Sequence, residues 1–98
     1  MTLFVWAVTA LLFLAGTTML VLRRQLLAML LGLELMISAV NISLVYHAGL
    51  FSDAQALAAA LLIIAVAAAE AVVGLSLILD LHKSGGPVDS TFLRELRG

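Results

Sequence analysis

LLAMLLGLELMISAVNISLVY, residues 26–46, is apolar over a length that crosses a bilayer, yet it carries a carboxylate, Glu34, well inside the run. Runs of at least about 18 apolar residues read as membrane-spanning helices, because only that length covers a hydrocarbon core of about 30 Å. Two more such runs flank it. Residues 3–22 hold nothing more polar than Thr9, Thr17 and Thr18, and residues 57–79 are interrupted only by Glu70 and Ser76. The connection Arg23-Arg24-Gln25 is so short that the first two spans must be antiparallel neighbours. A second turn from about His47 to Ala56 contains Gly49, Ser52 and Asp53. The expected fold is an all-α membrane protein, one domain over residues 1–98. It has three transmembrane helices at about 3–22, 26–46 and 57–79 and a short tail over 82–98.

Composition agrees with that reading. Of 98 residues 64% are hydrophobic and 11% charged, and mean hydropathy is +1.23, where a soluble domain has about 25% charged residues. Five Lys and Arg against six Asp and Glu leave no basic surface for a run of phosphates, which excludes nucleic acid as a partner. The absence of cysteine excludes disulfides, thiolate metal sites and iron-sulfur ligation by this chain. Arg23, Arg24, Lys83, Arg94 and Arg97 all fall in the first loop or the tail, which share one side of the membrane. The positive-inside rule makes that side cytoplasmic and puts the N-terminus outside. The arginines follow the first apolar run, whereas a cleaved signal has its positive charge ahead of it, so the first span is expected to stay. Phe4, Trp6, Tyr46 and His47 fit interfacial anchors at the outer surface. In the tail, Gly85-Gly86-Pro87 ends the third helix, and Asp89 or Ser90 could cap a short turn carrying Phe92, Leu93 and Leu96.

Chemistry concentrates on two residues. Counted from the cytoplasmic span ends at a rise of about 1.5 Å per residue, Glu34 lies roughly 12 Å and Glu70 roughly 14 Å deep, near the midplane and at matched depth. An intramembrane carboxyl is expensive and marks function by default; the alternative is a protonated carboxyl bonding two helices together. Glu34, Ser38 and Asn41 fall within about 60° of one another on the second helix, a polar face directed at protein or water. Around Glu70 the same-face residues are Val66, Ala67, Val73 and Gly74, whose small members let another backbone approach, so Glu70 is expected in a tight helix-helix contact. If the two carboxylates were about 10 Å apart at an effective dielectric of about 20, they would repel by about 1.7 kcal/mol and titrate as coupled sites. His47 and His82 sit at opposite surfaces and cannot share a metal. Asp80, His82 and Lys83 read as a solvated helix end. No phosphate loop, nucleophile-base pair or metal-spaced cluster is present.

Gly32-Leu33-Glu34-Leu35-Met36-Ile37 with Asn41, Ala67-Ala68-Ala69-Glu70-Ala71 with Gly74-Leu75, the paired loop arginines and the closing Glu95-Leu96-Arg97-Gly98 together resemble the K subunit of bacterial respiratory complex I, the proton-pumping NADH:quinone oxidoreductase. The likeness covers essentially the whole chain. It implies that Glu34 and Glu70 are the family's two intramembrane glutamates, part of the proton-transfer chain along the membrane arm. Arg23 and Arg24 then match its supporting loop arginines, with Ser38 and Asn41 on the same polar face. It also implies a multi-pass place in the bacterial cell inner membrane, and partners among the other membrane-arm subunits, including antiporter-like ones, beside the lipid bilayer. The chain would be a non-redox subunit, not catalytic alone, with FMN, iron-sulfur clusters and quinone held by other subunits. Its alternative is the small subunit of a multi-subunit cation/proton antiporter or a related membrane-bound hydrogenase; the antiporter subunit typically lacks both glutamates. A rotary ATP synthase proteolipid, with two spans and a glycine-rich helix, fits less well, and a purely structural subunit would tolerate Gln at both positions.

Overall fold

A computed structural model describes residues 1–85; the expectations for the tail from Gly86 to Gly98, Arg94 and Arg97 included, lie outside the described residues. Three helices run up, down and up: α1 (Thr2–Leu22), α2 (Leu26–Phe51) and α3 (Ala54–Lys83). Each is long and apolar enough to cross a membrane. At about 1.5 Å per residue, the 21, 26 and 30 residues give lengths of about 31, 39 and 45 Å against a hydrocarbon core of about 30 Å. The bundle measures 50 × 24 × 21 Å, and α1 and α3 each pack on α2, which is the central helix.

Helix ends depart from the ends of the apolar runs. α2 continues past Tyr46 to Phe51 and α3 begins at Ala54, so the second turn is Ser52-Asp53 alone. Polarity marks where a chain leaves hydrocarbon, not where its backbone bonds stop. Here His47 stacks its ring on Phe51 at 4.8 Å between centroids as the helix continues. Ser52 closes α2 in the left-handed region at φ 50°, and the Asp53 amide donates to Ala48 O at 3.0 Å. Asp53 then caps α3, its Oδ1 accepting from the amides of Gln55 and Ala56 at 3.0 and 3.1 Å. At the other end of the bundle α1 stops because Arg23 is extended, and α3 stops at Ser84 with Gly85 at φ +81°.

Packing relies on small residues. The buried ones are Thr9, Gly16, Gly32, Ala39, Ala48, Ala56 and Ala60, and among the described residues no large side chain is fully enclosed. Lipid tails are as apolar as leucine, so helices gain by close backbone approach rather than by hiding large side chains. Gly16 and Gly32 make the closest crossing: a Cβ on either would overlap the carbonyl oxygen of the other. Seven residues outward on each helix, Thr9 and Ala39 are both buried beside one cavity. Seven further, the hydroxyls of Thr2 and Tyr46 share a hydrogen bond. The α1–α2 seam is therefore antiparallel with a seven-residue repeat, the spacing that keeps one face on its partner.

Candidate functional site

Glu34 stands on α2 and Glu70 on α3, and the contacts of Gly74 set their register. A Cβ on Gly74 would lie 3.1 Å from Leu30 Cδ1, so Gly74 and Leu30 are opposite each other. Four residues on from Leu30 is Glu34, and four back from Gly74 is Glu70. Seven residues along, Ile37 and Ala67 line one cavity of about 290 Å³, shared with Glu70, Leu62, Ile63 and Val66. Antiparallel helices of equal rise thus hold the two glutamates level.

Their surroundings differ. Glu34 is half-buried, and its Oε1 is shut off from solvent with no hydrogen-bond partner. Glu70 is exposed at the edge of the α2–α3 contact, where it opens on the cavity beside Ile37. The tight contact expected on Glu70's face is made instead one turn away, by Gly74 on the Leu30 side chain.

On α2 the polar face contains Ser38, which is exposed, and Asn41, which is half-buried with its Oδ1 sealed and unpartnered like Glu34 Oε1. Both line a cavity between α1 and α2, separate from the one that Glu70 lines. Arg23 and Arg24 are exposed in the α1–α2 turn. Arg24 is ten residues from Glu34, about 15 Å along the helix, so the arginines are not brought to the carboxyls. His47 lies at the opposite end, with Nε2 3.7 Å from Asp53 Oδ2. Among the described residues no three His, Cys, Asp or Glu side chains come together as a metal-binding group.

Two participants escape a reading of the sequence. Thr2 reaches Tyr46 across 44 positions of chain, and no local pattern announces that. Met36, between two members of the polar stripe in sequence, packs on the other face, where its Cγ would lie 2.8 Å from a Cβ on Gly16. The seven-residue spacing of Gly32 and Ala39, matched by that of Thr9 and Gly16, was the available signal for this seam. A family model described as NADH-ubiquinone/plastoquinone oxidoreductase chain 4L matches residues 4–98.

Proposed function

The chain belongs to the NADH-ubiquinone/plastoquinone oxidoreductase chain 4L family, the small membrane subunits of respiratory complex I, and on that premise we propose that it supplies Glu34 and Glu70 to the proton-transfer chain coupled to quinone reduction. The observation that carries this reading is the placement of two carboxyls level with each other on adjacent helices, well inside spans that otherwise avoid charge. A carboxyl gains and loses a proton without moving its backbone, which is what a relay needs. Ser38 and Asn41 extend the polar face of Glu34, and Arg23 and Arg24 hold the α1–α2 turn at the cytoplasmic surface, where they also suit anionic headgroups. The redox groups belong to other subunits of the complex, in a bacterial inner membrane, with membrane-arm subunits against the faces of α1 and α3.

Glu34→Gln and Glu70→Gln together test the reading, because the amide keeps shape and most hydrogen bonding while removing the titratable group. The double variant should assemble and pass electrons from NADH to an artificial acceptor at the normal rate. Proton pumping coupled to quinone reduction in sealed vesicles should fall at least about tenfold, a floor under the roughly 10²–10⁴-fold contribution of a positioned proton-transfer group. Normal pumping would leave the two carboxyls as helix-helix packing groups.

A further inference from the structure

At the end of the bundle that carries the α1–α2 turn, a groove of about 510 Å³ lies between Leu26 and Leu30 of α2 and Gly74, Leu77, Ile78 and Leu81 of α3. Neither Glu34 nor Glu70 lines it. Its volume is that of a ligand pocket, for which about 300–1,000 Å³ is usual. From Ser84 at its mouth to Gly74 is about 15 Å of helix, half of a hydrocarbon core of about 30 Å and so the depth of one leaflet. The lining is apolar except at the mouth, where Asp80 and Ser84 enter it.

Charges of both signs surround that mouth. Arg23 and Arg24 stand just before Leu26, Lys83 stands just before Ser84, and all three are exposed. Asp80 is exposed as well, and among the described residues no cation of the chain comes within ion-pair distance of it. An occupant that is only anionic would meet the Asp80 carboxylate, and one that is only cationic would meet Arg23, Arg24 and Lys83. A phosphate joined to an ammonium by a short linker satisfies both. The ammonium also finds the last carbonyls of α3, the negative pole of that helix, and the Ser84 hydroxyl oxygen, whose own proton is donated to Leu81 O at 2.8 Å. Carboxylate, carbonyl and hydroxyl oxygens all accept hydrogen bonds, so they suit an ammonium that still carries N–H groups. A quaternary ammonium has none and is held by aromatic faces. Among the described residues no aromatic side chain lines the groove.

We propose that the groove binds one phospholipid with a primary-amine headgroup of the ethanolamine type. One acyl chain lies along Leu30, Gly74 and Leu77, the phosphate is received by Arg23, Arg24 and Lys83, and the ammonium by Asp80 and Ser84. The seated chain fills the space that α2 and α3 leave open beside the Gly74–Leu30 contact. The site goes beyond proton transfer at Glu34 and Glu70 and does not depend on it.

The assembled complex is reconstituted in phosphatidylcholine vesicles with a trace of a lipid that carries a photoactivatable diazirine in one acyl chain and an ethanolamine, choline or glycerol headgroup. After irradiation the label is located on this chain by mass spectrometry of its fragments. The ethanolamine lipid should label the groove lining at least about threefold more than either of the others, a preference on the scale of one exposed charge pair. Asp80→Asn should bring the ethanolamine lipid down to the level of the choline lipid, and Asp80→Lys should shift the preference to the glycerol headgroup, which is anionic. Leu77→Trp, which fills the groove, should lower labelling there for all three. Equal labelling by the three headgroups, a preference of the native chain for the anionic one, or a groove left unlabelled because another subunit fills it would each overturn the proposal. If Asp80→Lys fails to assemble, the isosteric Asp80→Asn carries the test. Labelling and pumping are separate readouts. Normal pumping by the Gln double variant with the ethanolamine preference intact would remove the proton-transfer reading and keep the lipid site; lost pumping with no preference among headgroups would do the reverse.

Discussion

At Gly32 a Cβ would stand 2.6 Å from the Gly16 carbonyl oxygen and 2.9 Å from Met19 Cβ. Neither neighbour is the free end of a flexible chain, so a larger residue forces the helices apart. Gly32→Val should destabilise the α1–α2 pair by about 1–3 kcal/mol, the usual range for overpacking a filled contact, seen as a lower thermal midpoint of the detergent-solubilised complex. Gly49→Ala is the control, since nothing lies within 4 Å of a Cβ there, and it should change stability by less than about 0.5 kcal/mol. Asp53 is decisive in another way, because one of its oxygens holds two amides of the α3 first turn. Asp53→Ala should cost about 0.5–2 kcal/mol, with most of it restored in Asp53→Asn, which keeps an acceptor. Glycine and aspartate in a turn are legible in a sequence as types. Which glycine touches which is not, because that depends on the register of two helices whose apolar surfaces look alike.

For whole elements, the faces of α2 decide the outcome. Ser38 lies about 40° around the helix from Glu34 and Met36 about 160° around. The structure gives the difference content, since Met36 packs at Gly16 in the α1–α2 seam while Ser38 opens on the cavity. The pair Glu34→Ala with Ser38→Glu should therefore retain more pumping per assembled complex than Glu34→Ala with Met36→Glu. The second keeps the acid nearer its original depth but drives a carboxyl into a contact with no room or partner. Equal or better pumping by the Met36→Glu version would end the assignment of Glu34, Ser38 and Asn41 to one proton-facing side. The three helices were legible because hydrocarbon imposes length and hydropathy on any span. The stripe of Glu34 and Asn41 was legible because helical periodicity is fixed. The ends of α2 and α3 were not, since His47 to Phe51 keep helical bonds after the apolar run has finished, and nor was the exposure of Glu70, which depends on how far Gly74 sinks onto Leu30.

For the molecule as a whole, large apolar side chains such as Trp6, Leu14, Leu62 and Val72 point outward, the reverse of a soluble protein and the surface expected beside lipid and other spans. The proposed orientation, with the arginines of the α1–α2 turn on the cytoplasmic side, predicts that Gln25→Cys is reached by impermeant reagent from the cytoplasmic face and Ser52→Cys from the outer face. The reverse pattern would invert the assignment. The glycine crossing has a further consequence, for biosynthesis. α2 is the least apolar span, with a mean hydropathy of 1.9 over its best window against 2.1 for α1 and 2.5 for α3, and it carries both Glu34 and Asn41 into the bilayer. α1 leaves the ribosome first, and the three-residue link lets it meet α2 during synthesis as a ready-made helical hairpin. The Gly16–Gly32 contact would then act before the protein is complete, as the means by which the nascent second span is held in the membrane. A glycosylation-mapping assay should show α2 inserting less efficiently behind a Gly16→Leu first span than behind the native one, although the hydropathy of α2 itself is unchanged.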